Sequence, residues 1–405
     1  MIINKRIFLD YFLITSFIIA SGVPYLSDPK INILLFLLMS SIFYLRKKTL
    51  NMSFLLFFIF LFSITLLQAL KFDFFPIVTI IGLFTMVFNA YMIVKILDNN
   101  FVAYYVNVLY YIAIISFFFF FSFLLLPAVG NFFLHSIVPI FKVFNLAHSG
   151  QETILIYNLS HVNIFRNSGP FWEPGAFAGY LLIAFMLNFV KDSNIKSKKN
   201  VVFLLAIGTT ISTTTFLALF VFLFFVYFKR VKNVFFKITI AATLLIIAIF
   251  AYTSLDFLGK KIEGQLEKET SVKVLSGNSR DTGRFITIIR DMQDFKGHEW
   301  IGRGINNATR YSKQSKFFLI RSVGLTDVLV KFGIIFFIII IYFLYKSIYA
   351  YVSTNSIEQT SLLISLAIII PILILLISEM YFNYSMYWSL LLLRYVYIEK
   401  RTTII

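Results

Sequence analysis

Apolar runs of bilayer-crossing length recur along almost the whole chain, separated by short polar breaks, as in "FLLFFIFLFSITLLQAL" and "FGIIFFIIIIYFLY". A hydrocarbon core of about 30 Å asks for roughly 20 apolar residues per crossing. In lipid such runs must be helices, because every backbone N–H and C=O has to find its partner inside the segment. The pattern predicts an all-α, polytopic integral membrane protein with about twelve transmembrane helices: 7–26, 31–45, 52–70, 75–96, 102–126, 174–190, 201–212, 214–228, 234–255, 323–345, 361–378 and 383–398. The seventh and eighth are short for complete crossings. The first, within "MIINKRIFLDYFLITSFIIASG", has the look of a signal peptide but leads into no secreted domain, so it reads as a retained span.

Twelve crossings place both termini on one side. Lys5/Arg6, Arg46/Lys47/Lys48, Lys191 to Lys199, Lys229/Arg230/Lys232 and Lys400/Arg401 then share that side, while the opposite short turns hold only Lys30 and Lys71. This positive-inside asymmetry makes the termini cytoplasmic. The chain reads as one membrane domain, 1–405, with two extracytoplasmic loops at 127–173 and 256–322.

Composition sharpens the picture. The 405 residues are 59% hydrophobic and 14% charged, with no cysteine, which removes disulfides, thiolate nucleophiles and Cys-ligated zinc. A net charge of +17 would suit nucleic acid if clustered, but much of it lies in the short loops that orient the spans, so no nucleic-acid partner is expected. Loop 256–322 carries thirteen Lys or Arg residues against that bias. Either it solvates beside anionic headgroups or it meets an anionic ligand. His135, His148, His161 and His298 fit no metal-ligand spacing, and neither metal nor cofactor is expected.

Three stretches carry candidate chemistry. In "GNSRDTGRFITIIRDMQDF", Phe285, Ile288, Ile289 and Met292 form one helical stripe, and Asn278, Ser279 or Asp281 can cap its start. Arg280 and Arg284, four apart, with Arg290 further on, present guanidinium forks suited to a phosphate; the alternative is a surface helix whose arginines pair with Asp281, Asp291 and Asp294. The Gly-Arg303-Gly of "WIGRGINN" marks a tight turn or a close backbone approach. In "RNSGPFWEPGAFAGYL", Pro174 fits the first turn of a helix, and Gly175 and Gly179 have small-xxx-small spacing. Glu173 either caps that helix or serves as a general base, and Arg166 either pairs with it or reaches an anion. The third stretch, "GTTISTTTF" at 208–216, sets hydroxyls to bind a sugar or to satisfy broken helix backbone.

Together these residues resemble the O-antigen polymerase (Wzy-type) and O-antigen ligase superfamily. Two patterns carry the resemblance: Arg166-x-x-Gly169-x-Phe171-x-Glu173-Pro174 before a small-residue helix, and Arg284 followed by Gly302-Arg303-Gly304 and then Gly333. The resemblance implies a GT-C-like, metal-independent glycosyltransferase working on undecaprenyl-diphosphate-linked repeat units at the periplasmic face of the bacterial inner membrane. Glu173 and Arg284 would be catalytic, with Arg166, Arg280, Arg290 and Arg303 binding diphosphate or sugar. Membrane lipids, a chain-length regulator and a flippase are the partners it implies. Family ligases carry His-Asn where this chain has Ser322-Val323 and Ser-Arg where it has Ser212-Thr213, which favours a polymerase over a ligase. A lipid-linked oligosaccharide flippase is the rival from another class, and the long outer loop fits it poorly.

Overall fold

The computed structural model describes residues 5–24, 26–142, 152–153, 156–159, 165–230, 233, 235, 239, 284–310, 322–356 and 361–397. Helices dominate them: α1 (Lys5–Ala20), α2 (Pro29–Leu45), α3 (Met52–Phe72), α4 (Ile77–Leu97), α5 (Phe101–Leu125), α6 (Pro174–Asp192), α7 (Lys198–Thr210), α8 (Thr213–Arg230), α9 (Arg284–Phe295), α10 (Gly324–Asn355), α11 (Ser361–Ser378) and α12 (Ser385–Leu392). Apart from α9, which lies in the expected outer loop, each overlaps one of the predicted segments; the segment 234–255 lies almost wholly outside the described residues. Among the described residues, five helical stretches are long and apolar enough to cross a membrane: Met52–Phe72, Ile77–Leu125, Pro174–Asp192, Gly324–Asn355 and Ser361–Ser378. The longest is divided at Asp98, whose φ of 53° and ψ of −136° end α4 before α5 begins.

One helix is the hub. Of α6's span 83% is buried inside the protein, against 39–50% for the other four stretches. It packs on α5, α7, α8, α10 and α11. Its apolar side chains therefore meet protein all round, whereas α2, α3 and α4 turn Leu34, Leu56, Leu67 and Val78 outward, as lipid-facing helices do. Away from the hub's N-terminal end, Asp10 of α1 pairs with Arg46 at 2.6 Å, and Arg46 also donates to the Ile96 carbonyl, tying three helices together.

The remainder of the 127–173 region contains two short helices, Pro127–Phe132 and Val138–Lys142, and a two-residue antiparallel strand pair, Glu152–Thr153 with Asn158–Leu159. Tyr157 packs there against Phe119 and Phe123 of α5. This seats the segment that leads into α6.

Helix α10 is interrupted at Gly333, whose φ of 79° and ψ of 173° lie outside any helix. The segment 299–304 plugs the gap. Arg303 N and Gly304 N donate to the carbonyls of Val330 and Lys331, at 2.8 and 3.1 Å, and Ile334 N donates to Glu299 O at 2.8 Å. Gln68 of α3 reaches in and donates to the carbonyls of Ile301 and Lys331. A Cβ on Gly333 would collide with the Trp300 carbonyl, and one on Gly302 would sit 2.6 Å from that of Lys331. The Gly-x-Gly and the later glycine are thus the two halves of one close backbone contact.

Candidate functional site

The site forms where the extended segment 165–173 enters α6. Asn167 organises that segment: its backbone N–H donates to Thr209 O at 3.0 Å, and its amide donates to Ser116 and Thr209 hydroxyls. Asn158 donates to the Phe171 and Trp172 carbonyls. Arg166 is fixed next to this, its Nε donating to Thr210 O at 2.9 Å. That carbonyl is available because Ile211, at φ 48°, turns the chain out of α7. The hydroxyl-rich stretch satisfies the same break. Thr209 and Thr210 donate to the carbonyls of Ala206 and Ile207, and Thr215 donates to Ser212. Of the two expected roles for these hydroxyls, the structure realises backbone rescue.

Glu173 occupies the N-cap position of α6 but makes no side-chain capping hydrogen bond. Its carboxyl turns instead toward Glu379, which follows α11. A Cβ on Gly175 would stand 3.1 Å from Glu173 Oε1 and 3.2 Å from Glu379 Oε1, so both carboxyls lie over the same bare patch of helix. Both Glu173 and Trp172 bear on the Glu379 carboxyl. Glu379 is 7% exposed. Burial, then the charge of Glu173 and the hydrogen bond with it, push the Glu379 carboxyl well above the usual carboxylate range; Arg284 pulls the other way. The buried Glu379 carboxyl is thus the one that holds its proton more tightly than an ordinary glutamate.

Two arginines face the pair. Arg284, the first residue of α9, brings Nη2 to 3.7 Å from Glu379 Oε1 and is 28% exposed. Arg166 is half-buried. Burial lowers its affinity for a proton, Glu173 and Glu379 raise it, and Arg284 lowers it. The influence of Arg284 on Arg166 puts the two guanidiniums within electrostatic reach of one another. Aromatic rings wall the mouth: Trp172 stacks on Tyr384 with centroids 4.5 Å apart, and Tyr381 donates to the Gly175 carbonyl at 3.1 Å. The bare face of α6 around Gly179, expected to admit a close neighbour, is covered by that same Tyr381.

Arg166, Glu173 and Arg284, named from the sequence, are therefore brought together. Arg303 donates to the carbonyls of Asp294 and Thr309, at 3.0 and 3.3 Å, and so braces the plug of α10. Arg290 lies half-buried on α9. Arg280 and the cap candidates Asn278, Ser279 and Asp281 fall outside the described residues. Glu379 was not among the predicted site residues; a lone carboxylate between an apolar helix and the aromatic run "MYFNYSMYW" was its one sequence signal.

The apolar stripe of α9 is not its buried side. Ile289 and Met292 are 47% and 38% exposed, while Thr287, Asp291 and Asp294 are buried. The reason is Arg310, 3% exposed, which pairs with Asp291 at 3.1 Å, Asp294 at 3.3 Å and Asp327 of α10 at 3.2 Å. Thr326 donates to the other oxygen of Asp291 at 2.5 Å, and Lys331 pairs with Asp327 at 2.6 Å. The aspartates pair with a buried arginine that follows α9, and this network clamps α9 to α10.

Comparison with protein families, with curated proteins and with solved structures finds no match to this chain.

Proposed function

We propose that this chain is a surface-polysaccharide polymerase, a GT-C-like enzyme of about twelve spans with cytoplasmic termini in a bacterial inner membrane. It transfers a growing glycan from undecaprenyl diphosphate to the non-reducing-end hydroxyl of a new lipid-linked repeat unit at the periplasmic face. The observation that carries the reading is the convergence of Arg166 and Arg284 on the Glu173–Glu379 pair at the mouth of the most enclosed helix.

The anomeric C–O bond to a diphosphate is already activated, so an enzyme has two tasks: hold the leaving group and take a proton from the acceptor. Guanidinium forks match phosphate oxygens and stabilise the charge that builds on them as the bond breaks. At 3.7 Å the Arg284–Glu379 pair is loose, and an incoming diphosphate outcompetes it. Burial holds the proton on Glu379, and Glu173 lies beside it as the carboxyl that receives the acceptor's proton. As the acceptor oxygen forms its bond to the anomeric carbon, its proton passes to Glu173, and undecaprenyl diphosphate departs held by the two arginines.

The test is a glycan ladder from cells lacking the native protein, complemented with wild type, Arg284→Ala or Glu173→Ala. A full ladder with wild type, single repeats on lipid A-core without the protein, and collapse in both variants are expected. Long chains stranded on the carrier in the absence of the protein would instead mean a ligase. Single repeats trapped on the cytoplasmic side would mean a flippase.

A further inference from the structure

Helix α9 and the segment after it leave an apolar surface that no described element covers. The Arg310 network turns Thr287, Asp291 and Asp294 inward, so Ile289 and Met292 face away from the protein. Five residues past the helix, Trp300 is 68% exposed. The plug takes its main chain, whose carbonyl abuts Gly333. Among the described residues its indole has no ring contact and no hydrogen bond.

The break in α10 sets the depth of this surface. Residues 324–333 are all buried or half-buried and include Asp327 and Lys331. Exposure begins at Ile334 and continues through Ile335 and Ile338. Residues 334–352 carry one charged side chain, Lys346, and extend about 28 Å at 1.5 Å per residue, close to the hydrocarbon core of about 30 Å. Across a bilayer, the break therefore stands at an edge of the hydrocarbon. Helix α3 ends at the same level. Leu67 and Leu70 are exposed on its last turns, and His298 stacks on its final residue, Phe72, with ring centroids 5.3 Å apart. Phe74 and Phe75 are exposed just beyond. Trp300 thus sits where the lipid-facing surface of α3 and α10 stops.

We propose that α9 and Trp300 dock into the headgroup layer of the bilayer as an interfacial anchor, with Ile289 and Met292 against acyl chains and the indole at the boundary with water. Tryptophan suits that boundary because its ring is apolar and its N–H still finds water or a headgroup. A helix with one apolar and one charged side lies in the same layer. Continuity with the exposed surfaces of α3 and α10 selects lipid over a protein partner. Lys71 and Lys296 are offset by Asp73 and Glu299, so the surface selects phospholipid in general and not an anionic one. The anchor fixes the depth of α9, and with it Arg284 at the other end of that helix. This rests on the helices crossing a membrane and not on the polymerase reading.

The experiment places the full-length protein in nanodiscs of phosphatidylcholine brominated high on the acyl chain, bromine being a contact quencher of indole fluorescence. Of the three tryptophans, Trp388 is buried and Trp172 stacks on Tyr384, which leaves Trp300 for the lipid to reach. Bromolipid should quench the wild type, and Trp300→Phe should lose most of that quenching. Acrylamide in the water should quench Trp300 weakly, and added phosphatidylglycerol should change nothing. The chain has no cysteine, so Met292→Cys takes a single nitroxide label. Its relaxation should respond more to oxygen, which partitions into lipid, than to a water-soluble nickel chelate. That variant carries the test by itself if Trp300→Phe loses its melting transition. Quenching that Trp300→Phe leaves intact, or a nitroxide that answers mainly to nickel, overturns the anchor. An indole open to acrylamide also overturns it, as a surface kept for a soluble partner would be. Quenching that appears only with phosphatidylglycerol replaces the anchor with an anionic-lipid site. Neither probe needs turnover, so a glycan ladder indifferent to the protein would remove the polymerase reading and leave this result standing.

Discussion

Around Arg310, three aspartates, Thr326 and Lys331 meet at 2.5–3.3 Å, and the guanidinium is almost wholly buried. Around Gly175, two carboxyls are pressed together and the nearer arginine stands off at 3.7 Å, still 28% exposed. Both groups hold helix α9, one through its aspartates and the other through its first residue. The first is saturated, and nothing is gained by bringing an anion to it. The second keeps a half-exposed guanidinium beside a buried carboxyl that resists ionising. Saturation marks structure; frustration at a mouth marks chemistry.

Removing Arg310 should have the largest effect. Arg310→Ala leaves buried carboxylates without their partner, at a cost of about 3–5 kcal/mol, and should abolish or sharply lower the thermal transition of purified protein. If that variant melts like wild type, the network is not the clamp described above. Next comes Arg284→Ala, expected to slow polymerisation by about 10²–10³-fold, as loss of one transition-state donor does, with melting almost unchanged. A large fall in melting temperature there would erase the contrast between the two groups. Thr326→Val is smaller: it removes a donor to Asp291 and should lower stability by about 1.5 kcal/mol without altering the ladder beyond what reduced protein level explains.

The subtlest effect concerns pH. Burial and Glu173 hold the Glu379 proton more tightly in the folded chain than in the unfolded one. The stability this contributes is complete below the unfolded glutamate value of about 4.3 and is lost as pH rises through the raised folded value. Melting temperature should therefore decline with rising pH above the ordinary carboxylate range. Glu379→Gln, which cannot ionise, should flatten the decline; an unchanged slope would show that the strained pair is elsewhere.

Helix positions were largely legible because apolar runs and their breaks are local properties. The expected 52–70, 174–190 and 361–378 became Met52–Phe72, Pro174–Asp192 and Ser361–Ser378. Helix α10 ran to Asn355, ten residues past expectation, because "KSIYAYVSTN" keeps helical spacing with Ser347, Ile348 and Tyr351 buried on one side. What misled was the stripe of α9: periodicity located the helix, but the facing side was decided by Arg310, nineteen residues beyond Asp291. Glu173, Arg166 and Arg284 could be suspected because each sits beside a prolyl or glycyl signal or a helix start. Glu379 could not, since its significance is a meeting with Glu173 across 206 residues of chain.

The plug in α10 also fixes an order of assembly. Residues 299–304 are synthesised before the break at Gly333 that they fill, so the stopper exists before the hole. The two halves of α10 cannot close their backbone at Gly333 by themselves. They become one rigid element only when the preceding segment docks, bringing α9 and Arg284 with it. One segment thus both bridges the break in α10 and carries the chain on from α9, so the bridge and the position of Arg284 share a single support.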